Sequence, residues 1–164
     1  MAVLKKITLA LVTLTLLYAG VGFVVRCCTS DETRIRQLVA GMAEAYDSGH
    51  PGECVAPLAR DWHHEGYEFD RELLRGALFQ TSMERDPETR ALLSKVTLDA
   101  NAAVVTVTGA HATLACEATF ARFRRDVWED TWRLHVEAEL TKGDDGWKIT
   151  KSRHQDLRGT QLGR

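Results

Sequence analysis

Residues 131–140 alternate without a break: Trp132, Leu134, Val136, Ala138 and Leu140 are apolar, while Thr131, Arg133, His135, Glu137 and Glu139 are polar or charged. A period of two puts all five apolar side chains on one face of an extended strand and leaves the other face wet. Such a strand is stable only within a sheet whose apolar face something else covers. Gly143-Asp144-Asp145-Gly146 then reads as a hairpin turn, with Trp147 and Ile149 opening the returning strand. Upstream, Val96 and Leu98 alternate with Lys95, Thr97 and Asp99. Asn101 is a turn before Val104-Val105-Thr106-Val107, and Leu114, Cys116, Ala118 and Phe120 alternate with Thr113, Glu117 and Thr119.

Ahead of these strands the period is helical. Thr29 stands three residues before Glu32, a capping-box spacing, and Ile35, Leu38, Val39, Met42 and Tyr46 recur on one helical face. Gly49, His50, Pro51 and Gly52 stop that helix. The pattern predicts a short second helix over residues 53–60, burying Val55 and Leu58. It also predicts a third helix capped by Asp70, with Leu73, Leu74, Ala77, Leu78 and Met83 inward and Asp86-Pro87 ending it. Helices followed by an antiparallel meander with one apolar face describe an α+β domain over residues 31–160, its helices packed on one side of a curved sheet. At 164 residues the chain holds one such domain and a short appendage.

The appendage comes first. Residues 7–25 read ITLALVTLTLLYAGVGFVV, 19 positions without a charge, about 28 Å long as a helix and close to the thickness of a bilayer core. Lys5 and Lys6 precede the run and Arg26 closes it. A cleaved signal has a shorter apolar core ending at small residues, whereas Phe23, Val24 and Val25 continue past Ala19, Gly20 and Gly22. The reading is a transmembrane signal anchor over residues 7–26, with residues 1–6 as a short cytoplasmic segment and 27–30 as a linker. The two lysines favour an inside start. That makes a single-pass inner-membrane protein with its carboxy-terminal domain in the periplasm. The chain has 21 basic residues, three of them Lys5, Lys6 and Arg26, so the remainder carries 18 against 23 acidic ones. An acidic domain of this kind offers no general nucleic-acid surface. Four cysteines are too few for a disulfide-built scaffold. Cys27 and Cys28 abut the membrane end, where they could link two chains or be acylated; Cys54 and Cys116 lie in the folded part, where pairing stays open.

An amphipathic first helix, two short helices, long strands and a closing Gly146-Trp147-Lys148-Ile149 hairpin together resemble the NTF2-like superfamily, a cone-shaped α+β fold. Within it, Leu58-Ala59-Arg60-Asp61-Trp62 leading to Phe69-Asp70-Arg71-Glu72-Leu73-Leu74 is similar to bacterial membrane-anchored members of unassigned function. The resemblance implies a cavity between helices and concave sheet, with Trp62, Tyr67, Leu78, Phe120, Trp132 and Leu134 as candidate ligand-binding lining. It also implies pairing into a homodimer. It does not fix an activity, because the fold hosts isomerases, dehydratases, cyclases, transport adaptors and non-catalytic partners. No catalytic motif of those relatives matches here residue by residue.

The richest chemical cluster is Asp61-Trp62-His63-His64-Glu65-Gly66-Tyr67, read as the loop after the second helix. Asp61, His63 and His64 are the catalytic candidates, although neighbouring histidines on an extended chain face opposite ways. His135, Glu137 and Glu139 share the wet face of their strand and read as solvated residues; His111 and His154 read as isolated surface residues. Arg122, Arg124 and Arg125, interleaved with Phe123 and Trp128, are cancelled by Asp126, Glu129 and Asp130, as in a charged loop. There is no CxxC, HExxH, GxSxG or phosphate-cradling glycine loop, so neither metal nor cofactor is expected. The sequence reads as a membrane-anchored module outside the cytoplasm that binds an apolar small molecule or a protein. The alternative is a SnoaL/ketosteroid-isomerase-like isomerase or dehydratase with an acid–base residue in the cone.

Overall fold

The computed structural model describes residues 29–159. The expected anchor over residues 7–26, with Cys27 and Cys28, lies outside the described residues. Among the described residues no helix is long and apolar enough to cross a membrane.

Helix α1 (Asp31–Asp47) buries Ile35, Val39 and Ala45, and packs Leu38 and Met42 against the same core. Its cap is Ser30 rather than the expected Thr29: Ser30 Oγ accepts the amide of Thr33 at 3.2 Å. Asp31, in the first turn where the helix dipole favours a carboxylate, accepts Lys142 Nζ at 2.8 Å and the indole N–H of Trp147 at 3.1 Å. These bonds tie the start of α1 to the far end of the sheet and hold the Asp31 carboxyl below its usual range.

The expected second helix over residues 53–60 is corrected. Helix α2 (Pro51–Val55) is a single turn with proline at its start, and the chain then becomes strand β1 (Leu58–His64). The reason lies far along the chain: β1 runs parallel to the last strand and satisfies its otherwise open edge, as in the bond from the Ile149 amide to the Pro57 carbonyl at 3.0 Å. Helix α3 (Arg71–Met83) starts as expected, with Asp70 Oδ1 accepting the Leu73 amide at 2.8 Å. Leu74, Ala77 and Leu78 turn inward, but Leu73 and Met83, expected inside, are 55% and 67% exposed. At 100° per residue they lie off the stripe that reaches the core.

The remaining strands are β2 (Ser94–Leu98), β3 (Val104–Thr108), β4 (His111–Arg124), β5 (Val127–Gly143) and β6 (Gly146–Gly159). The sheet order is β1-β6-β5-β4-β2, with β3 also paired to β4. Because β1 is parallel, the sheet is mixed rather than a pure antiparallel meander. The residues read as a charged loop belong to a long β4–β5 hairpin instead, turning on Arg125 and Asp126. Both have positive φ, the two-residue geometry that matches strand twist.

Bulges set the curvature. The register slips at Thr131 in β5, and at Thr150 and Leu157 in β6. The Thr131 and Thr150 hydroxyls each donate to a carbonyl of the neighbouring strand, of Phe120 and Glu139, at 3.2 Å. An extra residue bends its strand and sharpens the twist, so the sheet curls around α1. Leu114, Leu140, Trp147 and Ile149 meet Ile35, Val39, Val55 and Trp62 in the main core, and Ala118, Trp132 and Leu134 form a second cluster. Cys54 and Cys116 are buried free thiols, not a pair, and burial pushes both up to about 11.

Candidate functional site

On β5 the residues Trp132, Leu134, Val136 and Ala138 face the concave side. Antiparallel partners share a face, so Asp156 beside Leu134, His154 beside Val136 and Ser152 beside Ala138 face it too. On β1, Trp62 and His64 join them, with His64 in register with Ser152. The Trp62 indole donates to Ser152 Oγ at 3.2 Å. The chain then turns at Gly66, where φ is +89°, and brings Tyr67 back over the strands.

One constellation results. His64 Nε2 and His154 Nδ1 are 2.8 Å apart, and His154 Nε2 lies 3.7 Å from Asp156 Oδ1. The Trp132 indole donates to that same carboxylate oxygen at 2.7 Å. The Tyr67 ring stacks on the His154 imidazole, centroids 5.5 Å apart and planes within 7°, and lies 5.2 Å from His64. Phe120 stacks on Trp132 at 5.1 Å, with Tyr46 edge-on to Phe120 at 5.4 Å, so an apolar floor continues from the polar group towards α1.

Hydrogen counting gives this group its chemistry. Two neutral imidazoles carry two N–H groups and two lone pairs. The 2.8 Å contact uses one of each, so one N–H and one lone pair remain for the outer nitrogens, His154 Nε2 and His64 Nδ1. A proton taken up at either end makes a shared imidazolium beside Asp156. His64 Nδ1 is buried with no hydrogen-bond partner, while the His154 side chain is 20% and the Asp156 side chain 39% exposed. Proton traffic therefore enters at His154. Burial, reinforced by the nearby His154, lowers the His64 pKa from its usual value, although the Glu65 carbonyl and carboxylate pull the other way. Burial thus favours the neutral form of His64.

That lowered pKa fixes a sign. His64 binds its proton more readily unfolded, near pH 6.5, than folded. The stability due to its neutral form is therefore present above that value and lost as pH falls below it. Thermal unfolding at pH 7.5 and 5.5 should show a midpoint lower by a few degrees at the acid pH, and His64→Gln should remove most of that difference. An equal acid-induced drop in both proteins would contradict it. The carboxylates of Asp31 and Glu65, both lowered by their lysine partners, titrate below this window.

The expected cluster is split. Of the three catalytic candidates His64 points into the concave face, while Asp61 and His63 are exposed on the opposite phase of β1. His154, read as an isolated surface residue, is His64's partner, which corrects that reading. Asp156 was not singled out at all. Of the candidate lining, Trp62, Trp132 and Leu134 are buried, Phe120 and Leu78 are half-buried, and Tyr67 is 61% exposed as a cover over the histidines. The gap between the helices, bordered by Tyr46, Cys54 and Leu78, holds only about 10 Å³, no more than one water. The polar side chains of the concave face gather instead at the β1–β6–β5 end. On the convex face Glu137 pairs with Arg153 and Glu139 with Lys151, at 3.6 Å in the latter case. Among the described residues no group of three His, Cys, Asp or Glu is arranged to hold a metal ion.

A curved mixed sheet wrapped around one long helix, with polar groups at its open end, is the NTF2-like, cystatin-like architecture, and solved structures bear this out. An NTF2-like protein with a cystatin-like fold from Novosphingobium aromaticivorans superposes with a TM-score of 0.66 at 20% identity, covering 90% of this chain and 92% of that one. An NTF2-like superfamily protein from Salmonella enterica gives 0.58 at 18%, covering 82% and 96%. A candidate scytalone dehydratase from N. aromaticivorans gives 0.59 at 14%, covering 79% and 86%. The chain has the NTF2-like fold. No protein-family model and no curated protein sequence matches it.

Proposed function

We propose that this domain binds a small organic molecule at the open end of its concave face and moves a proton on it, in an isomerase- or dehydratase-type reaction. The observation that carries this reading is the hydrogen-bonded His64–His154 pair beside Asp156. In its neutral form His154 Nε2 withdraws a proton from a carbon next to a carbonyl. The resulting imidazolium is stabilised by Asp156, itself held by the Trp132 N–H, and returns the proton to a second atom of the substrate. The Trp132–Phe120 stack offers an apolar bed for a ring, and Tyr67 covers the pair. The candidate scytalone dehydratase among the structural neighbours lends the reaction class support by analogy of fold alone. This takes up the isomerase- or dehydratase-type alternative and keeps the small-molecule-binding reading within it.

Proton abstraction has a substrate-tolerant readout. The full chain, incubated in heavy water with a panel of cyclic ketones and hydroxyketones, should catalyse deuterium incorporation next to the carbonyl, seen as a one-dalton gain. Exchange no faster than with His154→Gln across the panel would overturn the proton-transfer reading and leave ligand binding alone. The reading also places the domain at a membrane through residues 7–26, supported by the 19 uncharged positions. The full chain should stay with membranes through an alkaline carbonate wash, and recovery in the supernatant would remove that part of the proposal.

A further inference from the structure

On the opposite, convex side of the sheet, a recess of about 420 Å³ opens where the bulges fall, lined by Thr119, Asp130, Trp132, Arg133, Leu157 and Arg158. That volume is within the range of small-molecule sites. Arg133 and Arg158 are direct cross-strand partners on β5 and β6. Like charges placed opposite each other repel and cost stability unless an anion offsets them. Glu117 answers Arg133, accepting from its Nε at 3.2 Å and its Nη2 at 2.5 Å. Arg158 has no ion pair among the described residues, and neither has Asp130, three positions before Arg133 along β5 and about 7–10 Å from it at strand spacing. The recess thus holds one unanswered positive end and one unanswered negative end, with Leu157 supplying apolar wall between them.

The backbone keeps Arg158 in place. Its neighbour Gly159, at φ +71°, sits so close to β5 that a Cβ would meet the Thr131 carbonyl oxygen at 2.0 Å. Two residues earlier Asp156 is bound by the Trp132 indole. The guanidinium is therefore carried on a strand end anchored on both sides, and the bulge at Leu157 turns it outward, away from the histidine pair.

We propose that this recess is a second binding site, for an amphipathic monocarboxylate whose anionic group pairs with the unanswered Arg158, next to the Glu117-paired Arg133, and whose far end donates a hydrogen bond to Asp130. The Thr119 hydroxyl is the third polar contact at the anionic end. Bidentate guanidinium–carboxylate geometry supplies the specificity, and the free Asp130 rejects ligands carrying a second negative charge. The site is independent of the concave-face chemistry and stands if that reading fails.

The test is calorimetric titration of the full chain in non-ionic detergent with 4-hydroxybenzoate, which carries a carboxylate and a donor at opposite ends of a ring. Saturable binding is expected, weakened by about tenfold or more in Arg158→Gln. The neutral 4-hydroxybenzamide should not bind. Asp130→Ala should weaken 4-hydroxybenzoate towards the affinity of benzoate, which lacks the donor, and leave benzoate itself unchanged. Thermal midpoints of both variants matching the parent separate loss of the site from loss of fold. Absence of saturable heat, equal binding by folded Arg158→Gln, or inorganic phosphate competing as well as the aromatic acid would each overturn the proposal.

Discussion

Leu140→Ala should lower the free energy of unfolding by about 2–5 kcal/mol, the range for deleting a buried leucine side chain beyond Cβ. Leu140 is 1% exposed and lies opposite Ile149 on β6 and Ala112 on β4, in the cluster that also holds Ile35, Val39 and Trp147. Its neighbours cannot close the gap. β4 and β5 pair in unbroken register from His111 to Phe120 on one side of it, Ile149 lies opposite on β6 next to the Thr150 bulge, and α1 is pinned at its start by Asp31 to Lys142 and Trp147. Incomplete relaxation puts the cost towards the upper part of that range. Chemical denaturation followed by far-ultraviolet circular dichroism measures it. A change below about 1 kcal/mol would show that the core repacks and that the sheet is looser than its register implies.

The other large effect is chemical. His154→Gln should slow catalysed hydrogen–deuterium exchange by about 10²–10⁴-fold, the usual contribution of a positioned general base. Glutamine keeps a side chain able to hydrogen-bond His64, yet it cannot take a proton near neutral pH. His64→Gln should do less damage. It removes the inner half of the pair but leaves His154 Nε2 and Asp156 in place, so a slower enzyme with a shifted pH dependence is expected. Equal loss in both variants would mean that the two histidines act as one inseparable unit.

Much of the architecture was legible in the residues. The alternation over 131–140 fixed the face that β5 buries, and the Gly143–Gly146 turn fixed its hairpin with β6. The helical spacing of Ile35, Val39 and Met42 marked the face of α1 that packs on the sheet, and the element order already resembled the NTF2-like fold. Other features resisted for identifiable reasons. Leu58-Ala59-Arg60-Asp61 fits a helix as well as a strand, and only pairing with the edge of β6, about ninety residues later, makes it β1. Leu73, Phe79 and Met83 give α3 apolar residues on more than one side, so sequence cannot choose the packed stripe; in the structure all three are exposed.

The catalytic candidates divide along the same line. That His63 and His64 would face opposite ways followed from the extended chain alone, but which one faces inward depended on where β1 docks. His154 and Asp156 were hidden by phase. Counting by twos from Trp147 and Ile149 puts Arg153 and Gln155 inward, and His154 and Asp156 out. The bulge at Thr150 inserts one residue, its hydroxyl bound to the Glu139 carbonyl, and exchanges the two faces of β6 beyond it. The sequence by itself determined the apolar faces of α1 and β5, the Gly143–Gly146 turn and the start of α3 at Asp70, because each depends on residues within a few positions of one another. The tertiary structure alone decided which histidines meet, because that depends on a one-residue slip between strands and on the parallel docking of a distant segment.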